Sequence, residues 1–161
     1  MAQEVIVVRG RLARRVREEA ERLGVTVDEY LVELLSQGLD PESRAVEYVE
    51  AAEQLLDEAR EELGKGNVRQ AAEKLWGAAA LAVKAYAYWR DGKRLTSHGE
   101  LWNYMRTMSK ELGEWVRDAW MHASSMHVCF YEGWCSEEDV EVSMKHVRKL
   151  VEEVASRIKQ D

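Results

Sequence analysis

Residues 115–134 read WVRDAWMHASSMHVCFYEGW, and this stretch decides both the fold and the candidate site. It holds three of the six Trp and two of the four His of the chain. At about 100° per residue, two neighbouring helical stripes emerge. The first is apolar and consists of Ala119, Ala123, Met126 and Phe130. The second is mixed and consists of Trp120, Ser124, His127 and Tyr131. We expect a helix that buries the first stripe and presents the second as the wall of a site.

The rest of the chain is also rich in helix-forming residues. It has 161 residues with a single Pro and a single Phe, and Ala, Leu, Val, Glu and Arg dominate, which favours an all-α protein. Asp40 followed by Pro41 is a typical helix start and marks a domain boundary. Five apolar helical patterns joined by short turns follow it. Residues 40–161 are therefore predicted to form an antiparallel four-helix bundle with one added helix.

Residues 1–39 have a different pattern. Residues 3–9, QEVIVVR, predict a short β-strand. A helix ending at Gly24 follows, and Thr26 with Glu29 makes a capping box for a second helix. Strand, helix, glycine turn and helix over residues 3–39 resemble the ribbon-helix-helix dimerisation and DNA-binding module. Because a lone strand needs a partner, we expect this arm to pair with a second copy, giving a homodimer or a larger even oligomer.

In ribbon-helix-helix proteins the paired strands read bases in the major groove. Gln3 and Arg9 have side chains that can donate to a base, but Val5 and Val7 between them do not. The residues therefore favour a dimerisation arm without DNA binding. A DNA-binding regulator acting through residues 3–9 is kept as an alternative.

Charge is unevenly distributed along the chain. The net charge is -7, but residues 1–24 contain six Arg and four Glu, a sum of +2, which leaves -9 for residues 25–161. Such an acidic body argues against broad nonspecific binding to nucleic acid. Asn is rare while Glu and Arg are abundant, a bias of heat-adapted proteins. No apolar run is long enough for a membrane span and no signal peptide is evident, so we expect a cytoplasmic protein without membrane contact.

Metal and disulfide chemistry are not expected. Cys129 and Cys135 are too few for a disulfide framework, and their spacing does not match a zinc pair, so we expect two free thiols. His122 and His127 are five residues apart, about 140° on a helix, and should point in different directions. The sequence contains no HxxxH pair. We therefore expect neither a metal nor another cofactor.

Four segments carry a resemblance to a known family. They are LDPESR (39–44), AAEKLWGAAALAVKA (71–85), SHGELW (97–102) and AWMHASSMHVCFYEGWCSEEDVE (119–141). These segments closely resemble the archaeal PaREP paralogous-repeat family, whose fold is similar to the HEPN four-helix bundles. The resemblance runs from about residue 39 to the C-terminus.

The HEPN resemblance implies an alternative enzymatic function. HEPN domains that cut RNA carry an Arg-x4-6-His motif and act without metal, which would make His127 the catalytic group of a toxin-like endoribonuclease. This sequence departs from the motif, because His122 occupies the Arg position and Ala123 the Asn position. Arg117 and His122 satisfy Arg-x4-His by spacing alone. These departures favour a protein that is not an enzyme.

The leading hypothesis is a non-catalytic HEPN-like module that binds a nucleotide, RNA or a partner protein in a polar pocket. The pocket is predicted to contain six residues: Glu73, Lys74, His98, Ser124, His127 and Tyr131. The competing interpretation is that His127 sits at the edge of the core, bonded to Ser124, Tyr131 or a neighbouring helix. Trp residues beside the apolar stripes are interpreted as packing.

Overall fold

The structure is a computed structural model that describes residues 4–160. Within this range the chain forms helices and no strand. In order, they are α1 (Gly10–Leu23), α2 (Val27–Leu35), α3 (Pro41–Gly64), α4 (Val68–Asp91), α5 (His98–Leu112), α6 (Trp115–Glu132) and α7 (Glu137–Ile158). The all-α prediction is confirmed. Among these described helices, none is both long and apolar enough to cross a membrane.

Helix α4 lies at the centre of the fold. It packs against α3, α5, α6 and α7, and it also touches α2. An α4 buried on nearly every side explains why its sequence is apolar around most of its circumference. Gly77 lies at a tight point of this packing, since a Cβ there would lie 3.0 Å from Leu55 Cδ1 and 3.7 Å from Thr26 Oγ1. The nearest neighbour of such a Cβ is thus the Leu55 side chain and not a second backbone.

Side chains cap the starts of α3, α5 and α7, whereas Asn67 makes no side-chain cap for α4. Ser97 accepts a hydrogen bond from the Glu100 amide, and Asp40 accepts one from the Ser43 amide. Ser136 makes a complete capping box with Asp139. Side chains placed this way satisfy backbone N–H groups that have no partner within their own helix.

The N-terminal arm forms a helical hairpin. Helix α1 packs on α2, and α2 packs on α3 and α4. The predicted strand is not formed: residues 4–9 adopt neither helix nor strand, and Gln3 lies outside the described residues. The physical reason is that a strand requires a neighbouring strand for its backbone N–H and C=O groups, and residues 4–160 offer none. A domain boundary between residues 39 and 40 stays a prediction.

One buried ion pair joins the hairpin to the body formed by α3–α7. Lys84 Nζ lies 2.9 Å from Glu29 Oε2, and the two side chains are 8% and 3% exposed. The other oxygen of Glu29 accepts from the Thr26 amide at 3.4 Å and completes the capping box of α2. A single carboxylate therefore both starts α2 and anchors it on α4.

The α6–α7 corner corrects the prediction of two free thiols. Cys129 and Cys135 are joined by a disulfide, with their Cα atoms 5.7 Å apart. The left-handed backbone of Gly133, φ 73°, ends α6 and turns the chain back on itself. Cys135 is thereby brought beside Cys129, and its amide donates to Cys129 Sγ. The number and spacing of the cysteines in the sequence do not reveal this local geometry.

His122 lies in the seam between α6 and α7. Its Nδ1 is 3.2 Å from Ser143 Oγ, and its ring stacks on His146 with centroids 4.0 Å apart. Burial, reinforced by the nearby His146 and opposed by Asp118, lowers the pKa of His122. His122 therefore faces α7 and is separate from His127, as the helical spacing predicts.

We predict that Lys84→Met destabilises the protein by about 3–5 kcal/mol, because Glu29 is left as an uncompensated buried charge. The double variant Lys84→Met with Glu29→Gln should recover most of this loss. Urea unfolding followed by circular dichroism measures both. Arg157→Gln is the matched control, since it breaks the exposed pair with Glu153 and should cost at most about 1 kcal/mol. Equal losses in Lys84→Met and Arg157→Gln would contradict a structural role for the buried pair.

We also predict a pH-dependent contribution from His122. Its pKa in the folded chain lies below that in the unfolded chain, so folding favours the neutral ring. The contribution is fully present above about pH 6.5 and is lost as the pH falls through the folded pKa. Urea unfolding at about pH 7.5 and pH 5 should show a smaller acid-induced loss in His122→Gln than in the wild type. An identical loss in both proteins would exclude this role.

Candidate functional site

A cleft of about 350 Å³ lies between the α1–α2 turn and the body. Its roof is the turn segment 24–26 together with Glu21 of α1. Its floor and walls are formed by side chains of α4, α5 and α6. These side chains are Glu73, Trp76, His98, His127 and Tyr131. We call this space the His127 cleft. Four of the six residues predicted for the pocket therefore line one concavity.

Aromatic rings form most of the cleft wall. Trp76, which is 4% exposed, stacks on His127 with ring centroids 4.7 Å apart and planes 25° from parallel. His98 meets both rings edge-on, at 5.5 Å from Trp76 and 5.7 Å from His127. Tyr131 lies edge-on to His127 at 5.3 Å and is 68% exposed. Trp76 thus fixes His127 from behind, while Tyr131 presents an open ring face.

Glu73 supplies the carboxylate of the cleft. Its Oε2 lies 3.4 Å from His127 Nδ1, and the two side chains are 18% and 24% exposed. Burial raises the pKa of Glu73, and the contact with His127 partly offsets this rise. Within residues 4–160, His127 is the single side chain bonded to Glu73. The carboxylate therefore keeps the capacity to accept a hydrogen bond from a ligand.

Two predicted pocket residues lie elsewhere. Lys74 Nζ is 2.8 Å from Glu58 Oε1, and Lys74 lines a neighbouring cleft of about 460 Å³ that also touches Glu73 and Tyr131. Ser124 Oγ is buried without a hydrogen-bond partner among the described residues, and Ser124 does not line the His127 cleft. Because Lys74 pairs with Glu58 and lies outside the His127 cleft, this cleft lacks the cation that was expected there.

The alternative catalytic residues are also outside the cleft. Arg117 donates from Nε to Glu114 Oε2 at 3.2 Å, and His122 contacts Ser143 and His146 in the α6–α7 seam. Among the described residues that line the His127 cleft, none is Lys or Arg. The cleft therefore combines an acidic group with aromatic rings and offers no cation for a transferred phosphate.

Two features of the site escaped the sequence interpretation. Trp76 was taken as packing, whereas it also backs His127. The turn 24–26 was assigned to the arm, whereas it covers the cleft. A signal was available in Lys84, the one cation in an otherwise apolar stretch of α4, because such a charge requires a buried partner. That partner is Glu29, three residues after the turn.

Arg69 holds the end of α6 that carries Tyr131. Its guanidinium donates to the Phe130 carbonyl at 2.9 and 2.7 Å and to the Tyr131 carbonyl at 3.1 Å. These carbonyls belong to the last turn of α6. Carbonyl groups at the end of a helix have no N–H partner within their own helix. The contact fixes the position of Tyr131 at the mouth of the cleft.

Across residues 4–160, no three His, Cys, Asp or Glu side chains lie close enough together to hold a metal ion.

The chain is similar to archaeal proteins. The model of the Archaeal PaREP1/PaREP8 family matches residues 47–151, from α3 into α7. A crystal structure of a protein from Sulfolobus solfataricus is similar with a TM-score of 0.58 and 27% sequence identity, covering 67% of this chain and 96% of that one. No curated protein matches the chain. Since the family model spans more than half of the sequence, the chain belongs to the Archaeal PaREP1/PaREP8 family.

Proposed function

We propose that this chain is a non-catalytic module that binds the nucleoside part of a nucleotide or RNA in the His127 cleft. The observation that carries the proposal is the convergence of Glu73, His98, His127 and Tyr131 around Trp76 in one cleft. Ligand sites of this kind combine an apolar or aromatic wall with a few polar groups that fix orientation. The volume of about 350 Å³ suits one heterocycle.

The chemistry of the cleft favours guanine among the bases. Tyr131 offers an exposed ring for stacking, an interaction worth about 1–3 kcal/mol per base. Glu73 accepts hydrogen bonds, and guanine is the base whose pairing edge presents two adjacent N–H donors. A carboxylate acceptor in a half-buried site strengthens such bonds.

The helix arrangement supports the HEPN-like interpretation of the body. Helices α3, α4, α6 and α7 pack on one another, and α5 packs on α4 and α6. We infer an HEPN-like four-helix arrangement with α5 as the added helix. A polar site between helices is common in such bundles.

Ribonuclease activity at His127 is a weaker alternative. An acid–base His that cleaves RNA needs a cation or comparable donor to stabilise the charge on phosphate, and the described cleft lining has neither Lys nor Arg. Glu73 next to His127 would repel phosphate. Purified protein incubated with labelled RNA should leave it intact. Cleavage that disappears in His127→Ala would establish the alternative.

Self-association is proposed as a second property, through the arm. Exposed apolar side chains concentrate there, including Ile6 at 90% and Leu35 at 81% exposure. The others in the arm are Val5, Val7, Val8, Leu12, Leu23, Val27, Leu31, Leu34 and Leu39. Exposed apolar side chains concentrated in one segment are typical of an interface. We infer that residues 4–9 pair with those of a second copy. DNA reading by the paired strands stays the less favoured alternative, because Val5 and Val7 cannot donate to bases.

We predict that guanosine binds the purified protein and that Glu73→Gln weakens binding by about 10- to 100-fold, the loss expected for one charge-assisted hydrogen bond. Inosine, which lacks the exocyclic amino group, should bind less tightly than guanosine. Because the pKa of Glu73 is raised, binding should weaken as falling pH protonates this carboxylate. Isothermal titration calorimetry measures all three effects.

Asp118→Asn is the matched control for that experiment, since Asp118 is a carboxylate of α6 beside His146, away from the cleft. It should leave guanosine affinity unchanged. Unchanged circular dichroism in both variants confirms that they are folded. Equal affinity of wild type and Glu73→Gln would refute the assignment of Glu73 as the base acceptor.

We predict that Ile6→Asp converts an even oligomer to monomer, because a charge at the centre of residues 4–9 opposes strand pairing. Sedimentation velocity gives the oligomeric state. Met121→Asp is the control, because Met121 is a 48% exposed apolar residue outside the arm. A wild-type protein that sediments as a monomer, or an Ile6→Asp protein with the wild-type state, would rule out arm-mediated association.

A further inference from the structure

A further cleft, whose lining carries a net positive charge, lies along α1. It has a volume of about 620 Å³, and its charged lining is Arg9, Arg14, Arg17, Glu18 and Glu21. Three guanidinium groups against two carboxylates give this cleft a net positive lining in a chain whose net charge is -7. We call it the arginine cleft.

The arginine cleft shares lining residues with the two clefts of the candidate site. Arg17 and Glu21 also line the intermediate cleft of about 460 Å³, together with Glu73 and Tyr131. Glu21 further lines the His127 cleft. The three clefts therefore share residues of one face of α1, and Arg17 and Tyr131 line the same intermediate cleft.

The arginines of α1 differ in how they are neutralised. Arg15 lies within 4.0 Å of Glu18 and Glu19, and Arg22 bonds to Glu19. By contrast, Arg14 and Arg17 have no carboxylate within that distance among the described residues. Both are exposed, and a spacing of three residues puts them on one face of the helix. Their charge is available to a ligand.

We propose that Arg14 and Arg17 form a phosphate subsite, so that the ligand of the His127 cleft is a nucleotide whose base enters the cleft and whose phosphate lies against α1. This inference rests on the proposed function. Arg17 lies one turn, about 6 Å along the axis, before Glu21 at the cleft rim. A ribose fills that interval, and a guanidinium matches the geometry of phosphate oxygens. This arrangement places the phosphate against Arg14 and Arg17, away from the Glu73 carboxylate.

The test compares guanosine, guanosine monophosphate and inorganic phosphate by isothermal titration calorimetry on the full chain. We expect the monophosphate to bind at least about tenfold more tightly than guanosine, with a gain that shrinks as salt rises. In the variant Arg14→Gln with Arg17→Gln, the gain should vanish while guanosine affinity stays unchanged. The variant Arg15→Gln with Arg22→Gln removes the same charge from α1 and should keep the gain.

The outcomes separate the two proposals. Equal affinity for guanosine and its monophosphate would overturn the phosphate subsite and leave the proposed function standing. Binding of phosphate or of the monophosphate that depends on Arg14 and Arg17, without any binding of guanosine, would support the subsite and overturn the proposed function. Absence of binding by all three ligands would overturn both.

A 5′-phosphorylated oligoribonucleotide beginning with G distinguishes the source of the ligand. Tighter binding than the mononucleotide would identify an RNA strand end, and equal binding would identify a free nucleotide. Either result supports the subsite if the double variant of Arg14 and Arg17 abolishes the phosphate-dependent gain. Binding that is insensitive to this variant would overturn it.

Discussion

The buried pair between Glu29 and Lys84 is the interaction on which the rest of the structure depends. Moving two charges out of water is costly, and such a pair is maintained only when its geometry and its other hydrogen bonds are satisfied. Here Glu29 meets Lys84 at 2.9 Å and also accepts from the Thr26 amide. The pair therefore specifies where α2 begins and where it docks on α4. The α1–α2 turn, three residues before Glu29, is held over Trp76 and His127 as a consequence.

This docking creates a site that neither part of the chain contains alone. The body contributes the aromatic wall and Glu73, and the hairpin contributes the roof and Glu21. Two further restraints act at the other end of the cleft. Arg69 binds the last carbonyls of α6, and the disulfide between Cys129 and Cys135 closes the α6–α7 corner. Tyr131 is thereby held at the mouth of the cleft, between the acidic interior and the arginines of α1.

The helices and the caps at Thr26 and Asp40 could be predicted from the sequence, because apolar periodicity and capping residues act locally. His127, His98, Glu73 and Tyr131 were predicted to share a pocket, and in the structure all four line the His127 cleft. Lys74 was assigned to that space, yet it turns toward Glu58 on α3. Its direction depends on which helix packs beside α4, and the spacing of residues within α4 does not contain that information.

Other features depend on contacts distant in sequence. Glu29 and Lys84 are 55 positions apart, so only the isolated charge in LWGAAALAVKAYAYW hinted at a partner. The disulfide depends on the turn at Gly133, which brings Cys135 back to Cys129. A strand needs a partner strand, and residues 4–160 contain none, so residues 4–9 adopt no regular structure. Local patterns thus predict elements, whereas tertiary packing determines which side chains meet.

The most direct test of the central claim is the NMR spectrum of the histidine rings during titration with guanosine. The four histidines form two pairs, with His98 and His127 in the cleft and His122 and His146 in the α6–α7 seam. A ligand in the His127 cleft should shift the ring signals of His98 and His127 and leave those of His122 and His146 unchanged. Absence of any shift, or equal shifts in both pairs, would contradict the assignment of this cleft as the binding site.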